Sequence, residues 1–357
     1  MDTLIAAILA GGKGERLGHL TLACPKPLVP YAGSCRMIDF SLQNCQMSNV
    51  REVLLMSKHM EIPLIRYMQE QWSDRVALNF GPYQTAVQSK SCNAMQDIHR
   101  PDERGTADAL LYNRPYLDQS WAQDILVLHS DHIYNFNYRP MYAHHQATGA
   151  ALTIGYQRIP RKYVKLFGMV QFDDDGNLTK FVEKPSNPTS DCVFTAVAIF
   201  NKEIMYAYLD DLSKSDWRHD ISFDLIPAMI ENSEKIVGYP FKDYWEDIGT
   251  IERYYNAHLR LIDNTNLMCP PVTLDGADTL TRVNTSRHQN VMMPKALMAK
   301  DFRAKHALIF PGAEIAEGVT VEHTVVLPGA TLNAGETVCG AIISPNGRTV
   351  MEVGSNG

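Results

Sequence analysis

Several features that would place a chain in a familiar class are missing from this one. Its seven cysteines, Cys24, Cys35, Cys45, Cys92, Cys192, Cys269 and Cys339, are odd in number, scattered and never spaced as Cys-x-x-Cys. That disfavours a disulfide framework and a structural zinc site, and fits free thiols in a reducing cytoplasm. Positive charge is not in excess: 33 Lys and Arg stand against 40 Asp and Glu, for a formal net charge of -7. A general nucleic-acid binder or a binder of anionic membranes is therefore disfavoured, and any anionic substrate must meet a local basic cluster. Long hydrophobic runs are absent as well. The first one is broken by glycines and charges within ten residues, and Asp2 precedes it where a leader carries basic residues. Neither a signal peptide nor a membrane span is expected.

What is present is 45% hydrophobic content over 357 residues, enough for one large domain and a smaller one. The apolar run Leu4 to Leu9 ends in Ala10-Gly11-Gly12 and reads as a buried parallel strand entering a glycine turn. Apolar runs at 52–56 and 125–128 are separated by helical patterns around 62–68 and 107–116, and further strands are expected at 151–156, 169–172, 178–182 and 193–200. This alternation predicts an α/β fold with a Rossmann-like, mainly parallel open sheet. Helices near 221–231 and 250–262 close a domain spanning 1–263.

Residues 264–303 are rich in Thr, Asn, Pro and Met with weak periodicity, and read as a connector. In 304–357, Ile309, Ile315, Val321 and Leu327 recur at intervals of six, as do Gly312, Gly318, Thr324 and Ala330. Six-residue repeats with small residues at the corners point to a short left-handed parallel β-helix of about two coils. So short a stack leaves an apolar end, which is expected to pack on the main domain or on a neighbouring subunit.

The chemistry starts at Ala10 to Leu17, AGGKGERL. Gly11, Gly12 and Gly14 let backbone N–H groups approach phosphates, and Lys13 and Arg16 add charge. The spacing is neither the dinucleotide GxGxxG nor the GxxxxGK[ST] phosphate loop, which disfavours hydride transfer and γ-phosphoryl transfer. Lys26 follows between Pro25 and Pro27, where a stiff backbone is expected to hold the ammonium outward. Three cations around a glycine turn suit a triphosphate.

With Gly11 to Leu17, Lys26 to Pro30 and Arg36 to Asn44 in view, the chain resembles the glucose-1-phosphate adenylyltransferase family, the ADP-glucose pyrophosphorylases. The resemblance continues through Arg104-Gly105-Thr106-Ala107-Asp108, Ser130-Asp131-His132-Ile133-Tyr134, Phe181 to Pro185 and Tyr244 to Thr250, in the family's order over residues 4 to about 262. It implies the nucleotidyltransferase fold, with the hexapeptide unit in shortened form. It also implies transfer of a nucleotidyl group onto a sugar 1-phosphate or a related cyclitol 1-phosphate, with release of pyrophosphate.

In-line attack on the α-phosphorus needs charge neutralisation and alignment and no covalent protein nucleophile. Asp131 and Asp247 follow or end apolar strands, where two carboxylates can share a Mg²⁺, the role the resemblance assigns them. From spacing alone, Asp131 as a turn residue and Asp247 as a helix cap stay open. The resemblance further implies Arg16 at the β- and γ-phosphates, Lys26 at the α-phosphate or the attacking phosphate, and Gly105, Thr106 and Asp108 along the base and ribose. Glu183 and Lys184 then bind the acceptor, the ammonium as a compact charge on its phosphate. Without the family, Glu183-Lys184-Pro185 reads as a solvated loop and Thr106 as a helix N-cap. His129 and His132 flank Asp131 as oriented strand-end histidines rather than a full metal set.

Three positions depart from the family pattern. Asp102-Glu103 replaces an aromatic residue before Arg104, Ser130 replaces a glycine before Asp131, and Phe194-Thr195-Ala196 replaces Ser-Met/Leu-Gly on an acceptor strand. A lost hydroxyl and an added aromatic on this strand, where Phe194 and Thr195 stand as acceptor contacts, change recognition of a glucose ring. Two acceptors therefore stay in view: glucose 1-phosphate with ATP, and a cyclitol phosphate of the valienol type, with GTP, as in aminocyclitol biosynthesis. A short C-terminal unit implies weak or no allosteric control, and a homo-oligomer, dimer or tetramer, is expected. A non-catalytic relative and a hexapeptide acyltransferase are the readings from other classes. The retained Arg16, Lys26, Asp131, Lys184 and Asp247 speak against the first, and the paucity of coils against the second.

Overall fold

The computed structural model describes residues 3–33, 35–89, 98, 102–263 and 280–351. It divides into two units that interleave along the chain. The first comprises Met1–Gly11, Asn44–Ser130 and Phe136–Asp243, the second Gly12–Gln43, Asp131–Asn135 and Tyr244–Gly357.

The first unit is built on a nine-stranded sheet. Its parallel half runs Ala77–Asn79, Glu52–Ser57, Leu4–Ala10 and Asp124–His129. Every residue of Leu4–Ala10 is buried, as a strand between two parallel neighbours and covered on both faces requires, and this explains its unbroken apolar run. Each fully buried Leu or Ile there contributes about 1.5–3 kcal/mol. The other half is mostly antiparallel: Cys192–Asn201 runs against both Asp124–His129 and Leu152–Arg158, and Gly168–Phe172 against Leu178–Glu183, while Ile236–Pro240 runs parallel to Leu152–Arg158. The sheet is thus mixed and parallel-rich rather than mainly parallel. For the pair Gly168–Phe172 and Leu178–Glu183 the cause is local, since Asp173 accepts from the backbone N–H groups of Asp175 and Asn177 and folds 173–177 into a tight turn. Such a turn can only return the chain antiparallel. Helix Glu61–Trp72 buries Leu64, Ile65, Met68 and Trp72, the one-sided apolar stripe of a core helix.

In the second unit, helix Ile251–Asp263 buries Tyr254, Tyr255, Ala257, His258, Leu261 and Ile262 along one face. That face shares one core with Leu17, Leu20 and Tyr31 and with Leu308, Phe310, Val325, Leu327 and Ile342. The last five belong to a stack of short parallel strands with a 17-residue coil. Arg303 pairs with Thr320 and Thr320 with Thr337; Leu308 pairs with Val325 and Val325 with Ile342.

The expected period of six holds from Ile309 through Ile315 to Val321 and then slips by one. Val326, not Leu327, continues the interior row to Leu332 and Val338, while Leu327 joins the core with the helix. The corners explain the slip, because positive φ recurs at 306, 323 and 340, at 312 and 329, and at 318 and 335. One side of each coil is therefore a residue shorter than the other two.

Residues 280–303, read as connector, contain strands Leu280–Val283 and His288–Pro294; residues 264–279 lie outside the described residues. Leu280–Val283 pairs antiparallel at one edge of this sheet and Gly347–Val350 at the other. An antiparallel strand thus covers Ala341–Ser344, the last parallel strand on that side of the stack. Among the described residues no helix is long and apolar enough to cross a membrane.

Candidate active site

The second unit gathers most of the charged residues singled out above. Strand His132–Tyr134 pairs antiparallel with Trp245–Asp247, in a register that sets Asp247 opposite His132. Asp131, one residue earlier, is drawn to the same place, and the backbone N–H of Ile248 donates to its carbonyl at 3.3 Å. Two carboxylates 116 positions apart in sequence therefore converge through one two-stranded ribbon.

His132 lies between them. Its Nε2 is 3.7 Å from Asp131 Oδ1 and 3.9 Å from Asp247 Oδ1, and its Nδ1 accepts from Trp245 Nε1 at 3.2 Å. Indole only donates, so the neutral imidazole carries its proton on Nε2, facing the carboxylates. The remaining oxygens meet cations. Lys26 Nζ donates to Asp131 Oδ2, and Arg253 Nη1 donates to Asp247 Oδ2 at 2.7 Å and to its carbonyl at 3.2 Å. Both aspartates keep about a fifth of their side-chain surface exposed, 22% and 23%. Two hard oxygen donors side by side and open to solvent, each oriented by a cation, fit a divalent ion that takes few protein ligands.

Lys26 departs from expectation. It is buried, held by Asp131 rather than directed outward, because Pro25 and Pro27 bracket a short 3-10 turn whose Leu28 N–H bonds to Pro25 O at 2.9 Å. Gly14 makes room for it: φ is 73°, and a Cβ there would stand 3.0 Å from Lys26 Cβ. Lys13 and Arg16 are exposed, and a Cβ on Gly249 would lie 3.5 Å from Asp247 Oδ2 and 3.8 Å from Arg16 Nη2. Arg16, Lys26, Asp131 and Asp247 are thus brought together. Arg253, Trp245 and the orienting role of His132 were not evident from sequence. Arg253 sits in an ordinary amphipathic pattern, and only the register of the ribbon gives it meaning. On the opposite face of that strand Glu246 binds Arg260, and burial still pushes its carboxyl above the usual range.

The glycine turn is divided, Ala10 and Gly11 belonging to the first unit and Gly12, Lys13 and Gly14 to the second. Also in the first unit, a Cβ at Gly105 would stand 2.1 Å from the His219 carbonyl oxygen, so only glycine fits. Gly105 precedes helix Thr106–Tyr112 without a side-chain cap, and Thr106 is not the N-cap. Its hydroxyl instead donates to Asp220 Oδ2 at 3.1 Å and accepts from the Ile221 N–H at 3.0 Å. Asp108 is buried, pairing with His219 Nδ1 at 2.9 Å and accepting from the Arg104 N–H at 2.8 Å. Ahead of this block, Asp102 binds Lys58 at 3.1 Å, and buried Glu103 accepts from Asn113 at 3.2 Å.

Glu183 and Lys184 pair at 3.0 Å, with Lys184 61% exposed at φ 47°. Phe194 is half-buried and packs edge-on against Phe181. Thr195 differs from expectation: it is fully buried, and its hydroxyl donates to Gly155 O at 2.9 Å. The cause is an irregularity between Phe194 and Ala198, with φ 58° at Ala196.

The nucleotidyl transferase family model matches residues 5–264 of this sequence, the span over which these side chains are distributed. The chain belongs to the nucleotidyl transferase family. Among curated relatives, it is 47% identical over 271 residues to a valienol-1-phosphate guanylyltransferase of Streptomyces hygroscopicus subsp. limoneus, covering 73% of each chain. It is 33% identical over 264 residues to a glucose-1-phosphate adenylyltransferase of Halalkalibacterium halodurans, covering 73% of this chain and 67% of that one. A glucose-1-phosphate adenylyltransferase of Fusobacterium nucleatum is 32% identical over 319 residues, covering 87% and 77%. This nucleotidyltransferase moves a nucleotidyl group from a nucleoside triphosphate to a phosphorylated acceptor and releases pyrophosphate.

Proposed function

We propose that the acceptor is a cyclitol 1-phosphate of the valienol type and the donor GTP. The observation that carries this reading is the gap in identity: 47% to the valienol-1-phosphate guanylyltransferase against 32–35% to the glucose-1-phosphate adenylyltransferases. The aromatic Phe194 supports it. In place of the family's small residue it offers apolar contact to a carbocyclic acceptor, in which carbon replaces the sugar's ring oxygen, and it offers no hydrogen-bond partner to a hydroxyl.

In this reading Asp131 and Asp247 hold Mg²⁺, which, when bound, neutralises charge on the triphosphate and the acceptor phosphate. Lys26, already fixed against Asp131, turns one ammonium proton to the α-phosphate or the attacking oxygen. Arg16 stabilises the β- and γ-phosphates as pyrophosphate leaves. His132, with its proton on Nε2, keeps the two carboxylates apart and oriented. The turn Ala10 to Gly14 offers backbone N–H groups to phosphate. Gly105, Thr106 and Asp108 shape the base and ribose side through the segment they pin at 219–221. Glu183 accepts from acceptor hydroxyls, Lys184 meets its phosphate, and Thr195 fixes the irregular backbone that presents Phe194.

We read the 17-residue coils as a left-handed β-helix. We place the protein in the cytoplasm as a homo-oligomer, in keeping with Cys24, Cys35, Cys45, Cys192 and Cys339, all free thiols. The test is pyrophosphate release from five nucleoside triphosphates, each paired with valienol 1-phosphate, other cyclitol phosphates and glucose 1-phosphate. The largest kcat/KM is expected for GTP with valienol 1-phosphate. A larger value for ATP with glucose 1-phosphate would establish the other acceptor instead.

A further inference from the structure

The loop that carries Arg16 has few internal bonds to hold its shape. Glu15–Thr21 is a seven-residue 3-10 helix, entered from Gly14 without a side-chain cap and broken at Gly18, where φ is 55° and ψ -127°. So short a helix has few internal hydrogen bonds, with poor geometry, and its conformation must come from what surrounds it.

Thr21 Oγ1 donates to Gly14 O at 3.1 Å and to Gly18 O at 3.3 Å, and the apolar edge of the loop shares a core with helix Ile251–Asp263; the C-terminal coil adds two further supports. Leu17 and Leu20 are buried with Leu308, Phe310, Val325, Leu327 and Ile342. Between them, His19 Nδ1 lies 2.6 Å from Ser344 Oγ, the last residue of strand Ala341–Ser344. The turn beyond it approaches so closely that a Cβ on Gly347 would stand 3.1 Å from His19 Cβ. Ser344 is fixed in turn, its Oγ accepting from the Asn346 N–H at 3.2 Å and donating weakly to Gly347 O at 3.4 Å. Apolar burial sets the depth of the loop. The directional His19–Ser344 bond sets its rotation about that buried edge, three residues from Arg16.

We propose that His19 and Ser344 are positioning residues, through which the C-terminal hairpin fixes the loop that presents Arg16 to the triphosphate. This rests on the reading of Arg16 as a triphosphate-binding residue. Neither side chain reaches the reacting atoms. Their effect falls on triphosphate binding and leaves the acceptor alone, because Glu183 and Lys184 belong to other segments.

The test compares His19→Ala, Ser344→Ala and Ser344→Thr with Arg16→Ala in the full-length protein. KM for GTP, ATP and acceptor is measured, together with hydrogen–deuterium exchange over residues 14–22. His19→Ala and Ser344→Ala are expected to raise the triphosphate KM roughly 3- to 10-fold, the worth of one part-buried hydrogen bond, and to speed exchange in the loop. The acceptor KM stays as it was, and Ser344→Thr, which keeps the hydroxyl, returns most of the loss. If Arg16→Ala raises the triphosphate KM while His19→Ala and Ser344→Ala do not, the proposal is overturned alone. An unchanged KM in Arg16→Ala removes the reading beneath it, and the proposal with it. An equal rise in triphosphate and acceptor KM also overturns it, since that marks general loosening.

Discussion

Asp108 in the first unit and the Asp131 and Asp247 pair in the second each stand beside a histidine, yet the two arrangements differ in how far they are closed. Asp108 is 1% exposed, and its two oxygens meet His219 and the Arg104 N–H, at 2.9 and 2.8 Å. Among the described residues both of its oxygens are engaged, and the bonds tie 104–108 to 219–221. Asp131 and Asp247 remain about a fifth exposed, and His132 stays 3.7 and 3.9 Å away. A carboxylate bonded on every side stabilises a fold, whereas one that is oriented and still open can take a ligand.

The comparison breaks most sharply at Asp131. Asp131→Asn is expected to lower kcat roughly 1,000-fold or more, with the far-UV circular dichroism unchanged; near-normal turnover would remove Asp131 from the reaction centre.

A histidine with no carboxylate at all gives the next largest effect. His258 is wholly buried, its Nδ1 donating to Tyr254 O at 2.8 Å and its Nε2 accepting from the Ala32 N–H at 3.3 Å. Burial lowers its pKa from 6.5 to about 4. The folded state thus binds fewer protons than the unfolded chain across that interval. The stability this group confers is complete above pH 6.5 and lost as pH falls toward about 4, a difference of about 3 kcal/mol at most. Urea denaturation across that range should show the acid limb, flattened in His258→Gln; equal slopes in the two proteins would contradict the assignment.

Asp108→Asn should behave opposite to Asp131→Asn. It sets an amide N–H against a donor and costs about 1–3 kcal/mol of stability, seen as a lower melting temperature, with little change in kcat. Smallest is Lys184→Ala, expected to raise the acceptor KM roughly tenfold with kcat near wild type. A fall in kcat with KM unchanged would move Lys184 out of acceptor binding.

Much of this was legible in the sequence because the relevant signals are local. The buried strand Leu4–Ala10, the glycine turn after it and the stripe of Glu61–Trp72 are each written within a dozen residues. What escaped depends on pairings distant in sequence. The clamp of Arg253 on Asp247 and the tautomer of His132 follow from the register of 132–134 against 245–247. The buried Lys26 follows from Asp131, which nothing near Pro25 announces. Thr195 looked like an acceptor contact because its neighbours do, yet an irregular strand turns it inward. The coil was visible by period but not by its 17-residue length, since one slipped residue in each turn is hidden among aliphatics that suit either register.

The proposed mechanism puts the ion at the open pair, Asp131 and Asp247, and not at the closed Asp108. Electron paramagnetic resonance of Mn²⁺, with a non-hydrolysable GTP analogue, measures this without requiring turnover. Binding should be retained in Asp108→Asn and lost in both Asp131→Asn and Asp247→Asn; wild-type Mn²⁺ affinity in either of the last two would contradict the account.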